Sequence, residues 1–128
     1  MDYLKKPNLL VVEDDYENQR FLQLFLKKNF NVFACDSEQS FYKFLNNNRI
    51  DIILMDISLR GKKDGLQLTR EIKNNENFKD IPVVCLTAHA FQQDKENALN
   101  AGVDIFLTKP VSNSFLMDTL LEMVKSND

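Results

Sequence analysis

The chain has 128 residues, 44% apolar and 27% charged, which suits one globular domain with a real core. No apolar run approaches the roughly 20 residues of a spanning helix, and residues 1–6 are polar, unlike a signal peptide, so a cytoplasmic location is expected. The formal net charge of −3, with no basic stripe, argues against nucleic acid as a direct partner.

Five apolar runs alternate with five amphipathic segments. The runs are residues 9–12, 32–34, 52–55, 83–86 and 105–107, and four are rich in Val, Ile and Leu without polar alternation. That is how strands covered on both faces read. Phe21, Leu22, Phe25 and Leu26 give helical spacing after the first run. Phe41, Phe44 and Leu45 do so after the second, with Ser37 as N-cap. Leu68 and Ile72 follow the third run. Phe91, Ala98 and Leu99 follow the fourth, where Phe91 is expected to pack in the core or at an interface, and the segment stops at Gly102. Phe115, Leu116, Leu120 and Met123 mark a last helix that starts near Ser112. Asn-rich stretches at 46–48 and 74–77 read as helix ends and loops. Cys35 and Cys85 lie in apolar segments and read as buried thiols, not a disulfide. The pattern is a (βα)5 α/β domain over residues 1–128, with its core at about 8–125, a parallel sheet and helices on both faces.

In such a sheet, ligands bind beyond the carboxyl ends of the strands. The first run ends in Glu13, Asp14 and Asp15, the third in Asp56, the fourth in Thr87 and Ala88, and the fifth in Lys109 and Pro110. The second ends in Cys35 and Asp36, which are chemically undistinctive. Crowded carboxylates repel unless a cation relieves them, and Mg2+ needs only a few oxygen ligands. One carboxylate can then attack phosphorus, with the metal, a lysine and a threonine hydroxyl meeting the developing charge.

The segments LLVVEDD, IILMDISL, DGLQL, VVCLTAHA and AGVDIFLTKPV occur in order along nearly the whole chain. Together they resemble the response-regulator receiver domains of two-component signalling. The resemblance implies a doubly wound five-stranded sheet in order 2-1-3-4-5. It implies Asp56 as phosphoacceptor, and a Mg2+ site (Mn2+ as substitute) from Glu13, Asp14, Asp56 and the backbone carbonyl of Ser58. Thr87 and Lys109 would contact the phosphoryl group, Thr87 and Phe106 would act as switch residues, and the Lys109–Pro110 bond would be cis. Ser58 and His89 would flank the attacking water and tune phosphate lifetime. The implied partners are a sensor histidine kinase or histidine phosphotransfer protein, and an effector at the α4-β5-α5 face. The protein would be a monomer or a phosphorylation-dependent dimer, and would catalyse only its own phosphorylation and dephosphorylation.

Two departures stand out. The stretch from Ser58 to Asp64 lacks the frequent proline and is one residue longer, and Phe106 stands where Tyr is commoner. Plainer readings compete at single positions. Asp15 reads better as a helix cap than as a metal ligand. Thr87 alone would be a strand residue, Lys109 a structural ion pair, Phe106 core packing, and His89 a surface histidine. Two rivals remain for the whole chain: a receiver-like binding module not regulated by phosphorylation, and a small aspartyl-phosphate-type hydrolase. The hydrolase would need a cap or additional acids. The glycine-free EDDYENQ segment disfavours a nucleotide-binding loop. TAHA and AGVDIFLTKPV resemble receivers of hybrid kinases, so a stand-alone regulator and a piece of a larger protein both fit.

Overall fold

The computed structural model describes residues 5–56, 64–88 and 91–126. The order is β1 (Asn8–Val12), α1 (Tyr16–Leu26), β2 (Asn31–Cys35), α2 (Glu38–Asn47) and β3 (Ile52–Met55). Then come α3 (Gly65–Lys73), β4 (Val83–Thr87), α4 (Gln92–Ala101), β5 (Ile105–Thr108) and α5 (Asn113–Ser126). The strands form one parallel sheet in the order β2-β1-β3-β4-β5.

The unbroken apolar runs have a direct cause. Successive strand side chains point to opposite faces, and helices cover both. Leu10, Val12, Ile53, Met55, Val83 and Cys85 face one core with Phe41, Leu45, Leu68, Ile72 and Ala98 from α2, α3 and α4. Leu9, Val11, Ile52, Leu54, Val84 and Leu86 face the other, with Leu22, Leu26, Leu116 and Leu120 from α1 and α5. Burial of each Val, Leu, Ile, Phe or Met among them contributes about 1.5–3 kcal/mol. Cys35 and Cys85 are buried free thiols.

The helix ends follow residue chemistry. Asp15 caps α1 by accepting the Asn18 N–H, and Ser37 and Ser40 form a capping box on α2. Asp64 caps α3, and the Ser112 hydroxyl accepts the Phe115 N–H at the start of α5. Gly102 ends α4 at φ 105°, a left-handed conformation that suits glycine. Phe91 is not a core residue. It precedes the first turn of α4 and is 76% exposed, which leaves the interface reading.

Candidate functional site at the carboxyl ends of the strands

The strand order reverses at β1. From β1 the chain passes to β2 on one side, and β3 lies on the other. A crevice forms at such a switch point. The residues around it are held by one extra rung of the sheet. The Glu13 N–H donates to the Cys35 carbonyl at 3.0 Å, the Asp56 N–H to the Val12 carbonyl at 3.1 Å, and the Lys109 N–H to the Thr87 carbonyl at 2.8 Å. The Lys109–Pro110 bond beside them is cis.

Asp56 is buried, at 6% exposure, and so is Glu13, at 4%. Lys109 Nζ lies 3.3 Å from Asp56 Oδ2. The Glu13 carboxyl hydrogen-bonds Asp56, and its pKa is pushed up from 4.5 to about 8. Burial is the largest cause, followed by that hydrogen bond and the Asp56 charge. A hydrogen bond from Asn18 and the Lys109 charge act the other way. Thr87 is fully buried at the end of β4, Asp14 is exposed at the rim, and Phe106 is half-buried on β5 against the α2–α4 core. Asp15 is engaged as the α1 cap. Ser58 and His89 lie outside the described residues.

Three further residues shape the site and escaped the sequence reading. Asn18 acts to lower the Glu13 pKa, and Gln19 Nε2 donates to the Glu13 carbonyl at 3.0 Å. Gly65 begins α3 so close to β3 that a Cβ there would lie 3.0 Å from both the Asp56 carbonyl oxygen and Met55 Cγ. The DG pair of the sequence was the available signal for Gly65. For Asn18 and Gln19 the signal was an amide pair in the first turn after the acids.

A family model described as the response regulator receiver domain matches residues 9–121. The chain belongs to that family. This receiver domain is 39% identical over 121 residues to the hybrid signal transduction histidine kinase I of Dictyostelium discoideum, covering 88% of the chain and 7% of that protein. It is 37% identical over 102 residues to the heme response regulator HssR of Staphylococcus aureus (strain MRSA252), covering 79% of the chain and 44% of that protein. The chain thus spans less than half the length of these curated relatives. Among solved structures, the receiver domain of sensor histidine kinase PA1611 from Pseudomonas aeruginosa PAO1 superposes with a TM-score of 0.84 at 33% identity. That match covers 94% of this chain and 99% of that one, and that receiver has a magnesium ion coordinated in its active site cleft.

The acids of this receiver fit a hard divalent cation. Glu13 and Asp56 are buried together, and the Lys109 charge does not prevent the rise in the Glu13 pKa. Among the described residues, no three His, Cys, Asp or Glu side chains are gathered into a preformed cation cage. Mg2+ needs none, because it keeps several waters and takes one or two carboxylates. No helix among the described residues is long and apolar enough to cross a membrane.

Proposed function

We propose that Asp56 accepts a phosphoryl group from a phosphohistidine on a sensor histidine kinase or histidine phosphotransfer protein. The observation that carries this reading is the setting of Asp56. It is buried at the end of β3, with an ammonium 3.3 Å away and a second carboxyl hydrogen-bonded to it. A carboxylate oxygen of Asp56 attacks phosphorus. The O–P bond forms as the P–N bond breaks, and the imidazole keeps the electron pair and takes up a proton. Lys109 Nζ and the Thr87 hydroxyl then meet the phosphoryl oxygens. Glu13, Asp14, Asp56 and the Ser58 carbonyl would hold Mg2+, or Mn2+ in its place, which would supply positive charge to the phosphoryl oxygens.

The output is a surface change. Thr87 and Phe106 shift together, and the face made by α4, β5 and α5 presents itself to an effector, as a monomer or as a phosphorylation-dependent dimer. Ser58 and His89 set the lifetime of the acyl phosphate. Residues 1–128 act as a single cytoplasmic domain that catalyses only its own phosphorylation and dephosphorylation. Incubation with Mg2+ and acetyl phosphate, followed by intact mass, is expected to add one phosphoryl group to the wild-type protein and none to Asp56→Asn. An undiminished gain in Asp56→Asn overturns the reading.

A further inference from the structure

The last rung of the sheet beside the acids comes from a side chain. In a parallel ladder the N–H and C=O of one residue both reach the same neighbouring strand. Val12 pairs with Cys35, so Glu13 continues toward β2, and its N–H donates to the Cys35 carbonyl at 3.0 Å. Continuing the ladder, the donor to the Glu13 carbonyl would be the Ser37 N–H. That group is turned into the α2 cap, where it donates to Ser40 Oγ at 3.3 Å. Gln19 supplies the rung instead. Its Nε2 donates to the Glu13 carbonyl at 3.0 Å.

Gln19 is itself held. Its N–H donates to the Asp15 carbonyl at 2.9 Å. Asp15 Oδ2 caps the same turn by accepting the Asn18 N–H at 3.2 Å, and Leu22 and Leu26 bury α1 against the sheet. The Glu13 carbonyl belongs to the peptide unit that joins Glu13 to Asp14. That unit is planar, so holding its oxygen sets its rotation. The directions in which both acidic side chains leave the backbone follow from that rotation. Glu13 lies buried in the crevice and Asp14 at its rim.

We infer that Gln19 is a positioning residue for the cation site, holding the Glu13–Asp14 peptide so that both acids face the ion. The inference rests on the cation reading given under Proposed function. Gln19 is not a ligand; it acts through the peptide. Outer partners of this kind change metal affinity by about 10–100-fold when removed.

The test compares wild type with two variants. Gln19→Met keeps about the length and helix propensity of glutamine but has no donor. Leu26→Val loosens the docking of α1 and leaves the Gln19 amide in place. Calorimetric titration of metal-free protein gives the Mg2+ affinity. The backbone amide nitrogen resonance of Asp14 reports the contact without metal, because it responds to hydrogen bonding at the carbonyl of its own peptide. Gln19→Met is expected to weaken Mg2+ binding about tenfold and to move the Asp14 resonance, and Leu26→Val to do neither. Wild-type affinity in Gln19→Met, an unmoved Asp14 resonance, or an equal loss of affinity in Leu26→Val overturns the role of Gln19. Absence of Mg2+ binding in the wild type overturns the cation reading and this role with it, and is visible without any variant.

Discussion

A buried acid that ionises at about pH 8 makes the metal-free protein pH-sensitive. The folded Glu13 holds its proton to about pH 8, against the ordinary 4.5. The folded state is therefore favoured by this group below about pH 4.5, and that advantage is lost as pH rises through about 8. Urea denaturation of metal-free protein between pH 5 and 9 should show stability falling with pH, and Glu13→Gln should flatten the profile. A wild-type profile that rises over this window would contradict the assignment. The same proton must leave when a cation takes the carboxylate, so Mg2+ affinity should strengthen as pH rises from 6 to 8. Much of this residue-level picture was legible in the sequence, because the acids follow apolar runs and the lysine lies two residues beyond one. What was not legible is that Glu13 and Asp56 share a hydrogen bond. Two residues more than forty positions apart meet only through the register of β1 against β3.

The elements were legible where residue chemistry is the mechanism. Ser37, Ser112 and Gly102 end helices because of what their side chains or backbones can do, and the structure uses each in that way. β2 runs one residue further at each end than its apolar run, from Asn31 to Cys35. It is an edge strand, where an exposed Asn31 carries no desolvation cost. Phe91 was expected in the core or at an interface, and its 76% exposure removes only the core reading. Gly65 shows a constraint between elements. Alanine is intrinsically better in a helix by about 1 kcal/mol, but here its methyl group would press on the Asp56 carbonyl and Met55. Gly65→Ala is expected to lower stability by about 1–2 kcal/mol on balance and to slow phosphorylation of Asp56, measured by denaturation and by acetyl phosphate labelling. A stabilised variant would show that the backbone of β3 yields freely there.

At the scale of the molecule, two cores clamp one sheet. Alternate residues of each central strand serve opposite faces, so the central strands are fixed in register from both sides. That frame brings Glu13, Asp56 and Lys109 together from three strand ends. The (βα)5 alternation was legible from the apolar runs, because only strands buried on both faces read as unbroken Val, Ile and Leu. The sheet order was not legible from periodicity, since pairing is non-local; it came from the resemblance of the five segments to receivers. The family model over residues 9–121 favours a receiver over the two rival readings. The most direct measurement is where the phosphoryl group goes. After labelling with acetyl phosphate and Mg2+, borohydride reduces an acyl phosphate on aspartate to homoserine, which peptide mass spectrometry locates. Homoserine at position 56 alone is the expected result; homoserine at position 13, 14 or 15, or at none, would contradict it.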